Sequence, residues 1–390
     1  MLKREWVCAD DGGTDVGVQE GLKEMPTKQE EGTEEAQDNS IVVCEFNVLA
    51  NGLAQHGKFS RCDAEYLTWE HRSPLLRDEI ARIRADIFGL AECNEFDTFW
   101  EPMFAEEGYD VVYCAKSKSP AQRFGGTADG CCIAVRRDRF RVVSKLQRDD
   151  APVAVAAQLL DITTQQHLLV CMCHLKSGRT FGDMRSAQME MLLASISEFE
   201  EGLSRPCPTA IMLGDFNAHS DEMCVTMCEE AGFTKVFSDV KHYPWTTWKY
   251  RHGPSADPKD EVEQKHTIDH ILARPATRLV SYLALPSDDE VTQGCFPSAT
   301  FPSDHVSVAV RIAWGPNREG SEDHGDSDQT EAVECVERIE EDHEGDTAGK
   351  GTENGAPGAT GVTRAGTSAG ESERQPQTPN RADDDRSDSH

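Results

Sequence analysis

Five segments of the 390-residue chain end an apolar run in a polar cluster: Glu45-Phe46-Asn47, Ala91-Glu92-Cys93-Asn94-Glu95, His174-Leu175-Lys176, Gly214-Asp215-Phe216-Asn217-Ala218-His219 and Ser303-Asp304-His305. A sixth, Thr267-Ile268-Asp269-His270, sets an aspartate inside an apolar run. Strand ends are where a rigid scaffold gathers site residues. Taken singly, each has a bland reading. Glu92 is a strand-end carboxylate facing water, Asn47 and Asn217 are turn residues satisfying local backbone, His174 is a satisfied histidine, and Asp304-His305 is a cap. Cys93 reads as structural, since nothing beside it marks an activated thiol. The joint pattern differs. Oxygen ligands from Glu92, Asn47, Asp215 and Asp304, with no cysteine among them, suit a hard cation, Mg²⁺ or Mn²⁺, which keeps its waters and binds phosphate oxygens. A nearby Asp–His pair then stabilises a phosphorane-like transition state or positions water. Gly125-Gly126 lacks the Lys-Ser/Thr of a phosphate-binding loop, and no G-x-S-x-G elbow is present. Metal-assisted phosphoester hydrolysis is the reaction class that uses all of these residues.

The elements that must position them are short and strand-rich. Apolar runs at 41–47, 86–92, 131–137, 140–146, 153–162, 167–175, 209–216, 267–273 and 306–314 predict strands. Leu76, Ile80 and Ile83 recur at helical spacing, with Ser73 as the expected N-cap and Pro74 in the first turn. Met189, Leu192, Leu193, Ile196 and Phe199 form a second stripe, capped by Asp183. The loops Arg136–Arg139 and Thr163–Gln166 predict hairpins. Many strands with few helices between them do not make a regular βαβ series, so an α/β sandwich with mixed or antiparallel sheets is expected. There is no internal repeat and no linker in the middle, so 41–314 reads as one domain.

Composition bounds the rest. The chain has 39 Lys+Arg against 70 Asp+Glu, net −31. Residues 1–40 carry net −7 and residues 315–390 net −13, and both are poor in large apolar residues. Such segments cannot offset their ordering entropy, so both are expected to be disordered acidic extensions. Within the second, Val333, Val336 and Ile339 form a faint helical stripe. Fourteen cysteines match no zinc spacing, and Cys171 and Cys173 read as small hydrophobes on one face of a strand. No stretch approaches the ~18 apolar residues of a membrane span. The N-terminus has no apolar segment of a secretory signal, and its acidic residues argue against a transit peptide. The expectation is a reduced, cytoplasmic protein without membrane attachment, a mitochondrial location being left open.

The ordered series FNVLA, LAECNEFDTFW, DGCCIAV, HLK, GDFNA, TTWK, HTIDHI and FPSDHVSV resembles the endonuclease/exonuclease/phosphatase superfamily over residues 41–314, and FDTFW, MRSAQ, TTWK and FPSDH resemble its nocturnin branch, relatives of the poly(A) deadenylases. The resemblance implies a four-layer α/β sandwich, DNase I-like, of two packed, mostly antiparallel sheets flanked by helices. It implies Mg²⁺ (or Mn²⁺) as cofactor, with Glu92 as principal ligand, Asn47 beside it and Asp304 as a further acid at the metal. Asp215 matches the carboxylate that activates water, Asn217 the residue positioning water and phosphate, and His174 a donor to phosphate oxygens. His305 matches the histidine on the scissile phosphate, and Asp269 the carboxylate orienting it.

The nocturnin branch is associated with removal of the 2′-phosphate of NADP⁺ and NADPH. Lys116, Lys176 and Lys249 match its nucleotide-contacting lysines, although a lone loop lysine is ordinarily solvated. Where the family has an arginine two residues after HLK, this chain has Gly178 and then Arg179, which becomes the candidate contact. The stretch between TTWK and HTID is longer and more charged than expected, and Asp257-Pro258 within it suggests a solvent loop. His270 stands where an aromatic is usual and reads as a conservative surface change. Three functions follow: an NADP(H) phosphatase, a 3′ exoribonuclease acting on the poly(A) end of RNA, or a non-catalytic relative binding a partner through acidic tails. Net −11 over 41–314 favours a small nucleotide, because an RNA track needs several phosphate-neutralising residues. Every matched catalytic position is filled, which argues against the third.

Overall fold

Apolar runs bounded by charge become the strands of two sheets. In the computed structural model, residues 2–9, 40–56, 59–150, 152–253, 260–291 and 296–314 are described. The expectations for 10–39, for 315–390 with its helical stripe, and for Asp257-Pro258 lie outside them. In chain order the elements are β1 (Trp6–Cys8), β2 (Ser40–Asn47), α1 (Asn51–His56), α2 (Trp69–Ile83), β3 (Ile87–Cys93), α3 (Glu101–Glu106), β4 (Tyr109–Ala115), β5 (Gly130–Arg136), β6 (Phe140–Arg148) and β7 (Val153–Asp161). There follow β8 (His167–His174), α4 (Gly182–Glu201), β9 (Thr209–Asp215), α5 (Met223–Glu230), β10 (Thr234–Lys235), β11 (Thr247–Arg251), β12 (Val262–His266), β13 (Asp269–Arg274), β14 (Leu279–Leu283) and β15 (Val308–Ala313).

One sheet has the order β1-β14-β15-β2-β3-β5-β4, the other β10-β13-β9-β8-β7-β6, and β11–β12 stand apart as a hairpin. Every residue of β2 is buried, which is why Ile41 to Cys44 read as an apolar run. After the buried Phe140, β6 alternates exposed and partly buried positions, as an edge strand with one solvated face does. Val43, Ile87, Ile133, Val155, Val170 and Leu213 belong to the core between the sheets. Leu76 and Ile80 of α2 pack with Phe88 and Phe104 outside the first sheet, and Met189, Leu192 and Cys228 pack with Met212 outside the second. The result is the expected four-layer α/β sandwich.

Several local expectations are corrected. Arg136–Arg139 does not close a hairpin: β5 pairs with β3 and β4, whereas β6 pairs with β7, so the turn carries the chain from one sheet to the other. Thr163–Gln166 does close one, with Leu160 opposite His167. Helix α2 starts earlier than its apolar stripe, capped by Thr68, whose side chain accepts from the His71 N–H at 3.3 Å, so Pro74 lies inside it. Trp69, packed edge-on to Phe99 at 5.1 Å, anchors that extra turn. Asp183 sits in the first turn of α4, not at its cap. Part of 1–40 is ordered: β1 pairs antiparallel with β14 at the sheet edge. Among its described residues, the charged stretch after TTWK enters and leaves as paired strands, with Thr247 opposite His266 and Arg251 opposite Val262.

Each large sheet holds one parallel pair near its middle, β2–β3 and β8–β9. Gly214 of β9 lies so close to β8 that a Cβ there would run into the Cys173 carbonyl oxygen and come within 3.1 Å of Phe216. Gly214→Ala is therefore expected to lower the unfolding free energy by roughly 1–3 kcal/mol through overpacking. Urea denaturation checks this, and an unchanged midpoint would contradict the close approach.

Candidate active site

Parallel neighbours end at the same edge, so the two parallel pairs deliver their terminal side chains to one place. Asn47 and Glu92 come from β2 and β3, and His174 and Asp215 stand opposite one another on β8 and β9. A register shift between Leu90 and Cys93, with Glu92 at φ 61°, turns the Glu92 carboxylate out of the regular pleat. Such bulges re-aim side chains beside sites, and left-handed backbone at a non-glycine residue persists only where its surroundings hold it. Asn217, at φ 50°, follows the same rule in the turn after β9.

The Asn47 amide joins the sheets. Its Nδ2 donates to Glu92 Oε1 at 3.1 Å and to Asp215 Oδ2 at 2.9 Å, while its Oδ1 accepts from the Leu49 N–H at 3.0 Å. Glu92 Oε2 accepts from the Ala50 N–H at 2.9 Å. Asp215 Oδ1 accepts from the Asn217 N–H at 2.8 Å, and the Asn217 amide donates to the Leu175 carbonyl at 3.2 Å. Asp215 Oδ2 lies 3.6 Å from His174 Nε2 and 3.8 Å from His305 Nε2. Burial and then Asp269 raise the Asp215 carboxyl above the usual carboxylate range, against the pull of the two histidines.

The two imidazoles are driven in opposite directions. His174 is pushed down to about 4, by burial first and then by Lys116. Lys116 Nζ lies 3.1 Å from His174 Nδ1 and is itself held by Asp129 at 2.6 Å. An ammonium can only donate, so Nδ1 accepts and the His174 proton sits on Nε2, aimed at Asp215. Burial opposes charge on His305, but Asp269, Asp215 and Asp304 prevail and lift it to about 9. Its Nδ1 donates to the Asp269 carboxylate at 2.9 Å, and Asp269 in turn accepts from Thr246 Oγ1.

Asp304 lines the site's cavity and is paired with cations. Its carboxylate is bound by Lys249 Nζ and lies 3.7 Å from Arg251, and these cations with His305 hold it far below the carboxylate range although burial opposes them. The ion pair fixes Lys249 at the cavity wall. Asp215, Asp269 and His305 offer ligand atoms within 4.8 Å of one another, and Asp269 and His305 are joined by a hydrogen bond. Glu92, half-buried at the cavity wall, with the Asn47 amide beside it, is the oxygen donor set that fits a hard cation.

Glu92, Asp215, Asn217, Asp304 and His305 line a cavity of about 620 Å³, with Lys116, Lys176, Lys249 and His174 on its walls. Arg179 is exposed and does not line it; Arg185, donating to the Gly178 carbonyl at 2.8 Å, fixes that loop instead. His270 is buried, donating from Nε2 to the Ala218 carbonyl at 2.8 Å and packed 5.0 Å from the Phe216 ring, so it is no surface change. Arg251 escaped sequence reasoning, although its spacing of two from Lys249 puts both on one face of β11. Lys118, Asp149 and Asp150 also line the cavity without a motif to mark them. Glu45 is fully buried beside Asp215 and Asp269, its carboxyl pushed well up by burial and its oxygens unpartnered among the described residues.

The model of the Endonuclease/Exonuclease/phosphatase family matches residues 44–305. The chain belongs to that family and is a phosphoester hydrolase. Within the family it is similar to Nocturnin of Xenopus laevis, 30% identical over 298 residues that cover 71% of this chain and 74% of that protein. It is more distantly similar to the CCR4-Not complex 3′-5′-exoribonuclease subunit Ccr4 of Candida albicans, 23% identical over 79% of this chain and 44% of that one. The fold matches the human Nocturnin catalytic domain (TM-score 0.57, 21% identity, 80% of this chain and 98% of that one) and ANGEL2, a 2′,3′-cyclic phosphatase (0.61, 18%, 80% and 98%).

The opposed histidines make a direct expectation. In the metal-free protein His174 is neutral and His305 protonated at pH 7, and ¹⁵N-detected imidazole titration should place them near 4 and 9. Because the His305 pKa is raised, its contribution to folding is complete below about 6.5 and is lost as pH climbs through about 9. Titration of both near 6.5 would contradict the charge assignment.

Proposed function

We propose that the chain removes the 2′-phosphate of NADP⁺ and NADPH in a Mg²⁺-dependent reaction. The observation that carries this reading is the cavity itself. Its volume of about 620 Å³ is that of a small-ligand pocket, and Lys116, Lys176 and Lys249 all line it. Asp149 and Asp150 line the same cavity, where a polyanionic strand would meet repulsion.

In this mechanism Asp215, its basicity raised by burial, takes the proton of the attacking water, which Asn217 positions. His174, neutral with its proton on Nε2, donates to a non-bridging phosphate oxygen. Protonated His305, oriented by Asp269, stabilises the charge that develops as the bond to the leaving oxygen breaks. Lys249, Lys116 and Lys176 bind the nucleotide's remaining phosphates. Glu92, with Asn47, would hold a divalent cation, which supplies charge neutralisation at the phosphate.

A second reading, a poly(A)-specific 3′ exoribonuclease, is favoured by the similarity to Ccr4. It uses the same reacting groups and differs only in what the walls hold.

The test is phosphate release from NADP⁺ and NADPH, and shortening of a poly(A) oligonucleotide, each with Mg²⁺ and with chelator. Phosphate release that chelator abolishes, and that Glu92→Ala and Asp215→Ala each reduce at least ~100-fold, is expected. Shortening of RNA without phosphate release would replace this reading with the second. Inertness toward all three substrates would refute both.

A further inference from the structure

The loop that carries Asp304 and His305 is held from several sides. Ser303 Oγ donates to the Asn47 carbonyl at 2.6 Å, and Thr247 Oγ1 donates to the Asp304 carbonyl at 2.7 Å. The Val306 N–H donates to the Thr246 carbonyl at 2.8 Å. Arg72 of α2, fully buried, donates from Nε to the Pro302 carbonyl at 2.6 Å and from Nη2 to the Val48 carbonyl at 2.7 Å. These holds come from the catalytic scaffold itself.

One further hold does not. Residues 2–9 grip the same loop at both ends. Upstream, the Leu2 N–H donates to the Thr300 carbonyl at 3.2 Å, and the Leu2 side chain is buried in the cluster containing Phe296 and Phe301. Downstream, Arg4 Nη1 donates to Ser307 Oγ at 2.7 Å, two residues past His305. Ser307 Oγ passes the bond on to Glu79 Oε1 of α2 at 2.6 Å.

The Arg4 guanidinium is otherwise fully engaged. It donates to the Ala284 carbonyl at 2.7 Å and the Leu283 carbonyl at 3.1 Å, and lies 3.7 Å from Glu79. Glu79 is shared with Arg82 at 2.7 Å. Pairing of β1 with β14, from Trp6 opposite Leu283 to Cys8 opposite Ser281, fixes where Arg4 enters. A buried charge-assisted network of this kind is rigid when every member is satisfied, and losing one member leaves the others unpaired.

We infer that residues 2–9 act as a strap that positions the catalytic loop Ser303–His305, with Arg4 and Ser307 as its positioning residues. The strap touches neither cavity nor substrate. It sets where His305 Nε2 stands relative to Asp215, a 3.8 Å separation that the reaction requires and that small displacements would spoil. It therefore acts on turnover rather than on binding. The inference rests on the reading of His305 and Asp269 given under Proposed function, and it holds for either substrate named there.

The experiment uses the full chain carrying Arg4→Ala, Arg4→Lys or Ser307→Ala, each assayed well below its own Tm on the substrate that the unaltered chain turns over. Arg4→Ala and Ser307→Ala should each lower kcat roughly three- to tenfold with KM unchanged. Arg4→Lys, which keeps one charged donor, should recover part of the loss. Unchanged kcat in folded Arg4→Ala and Ser307→Ala would overturn the strap, as would a rise in KM at constant kcat. His305→Ala is run beside them. If it keeps full activity, the reading of the loop as catalytic fails, independently of the strap.

Discussion

The whole site hangs on one side-chain amide. Asn47 Nδ2 spans the gap between a carboxylate of one sheet and a carboxylate of the other, Glu92 and Asp215. Without it, two buried or half-buried acids from separate layers would face each other in a medium that screens them poorly. The two sheets pack closely enough for this because glycine occupies the contact: a Cβ at Gly89 would lie 2.6 Å from Leu213 and 2.9 Å from Met172. Packing between layers, strand direction within them and the position of one amide are thus a single constraint.

Around that amide the charges are sorted rather than pooled. Lys116 spends its charge on Asp129 and keeps His174 neutral. Asp269 and Asp215 keep His305 charged. Asp304 is paired with Lys249 and Arg251. Two histidines within reach of the same Asp215 oxygen, one neutral and one protonated, give the site a hydrogen-bond donor and an acid side by side.

How much of this was legible in the sequence follows from how local each feature is. Glu92, Asp215, Asp269 and His305 interrupt apolar runs, so their positions at strand ends could be read directly, and the continuous burial of β2 and β9 made the sandwich readable as well. Features made by long-range contact left no such trace. The role of Asp304 is decided by Lys249, 55 residues away, and that of Arg4 by Ser307, 303 residues away. The bulge at Glu92 and the crossing of the Arg136–Arg139 turn between sheets depend on which strand pairs with which, and periodicity carries no information about that. The hairpin β11–β12 was not among the expected strands, because its strands are rich in charge; Trp248 and Tyr250, bonded to Glu263 at 2.9 and 2.7 Å, tie the pair together.

The central claim is that Glu92 works as one unit with the Asn47 amide that bridges it to Asp215. The most direct test is a double-mutant cycle on kcat/KM with Asn47→Ala, Glu92→Ala and the pair together. If the amide and the carboxylate act as a unit, the double variant is no worse than the poorer single one, within about threefold. Losses that multiply would mean the two residues act independently, and the bridge between the sheets would then not be what organises the site.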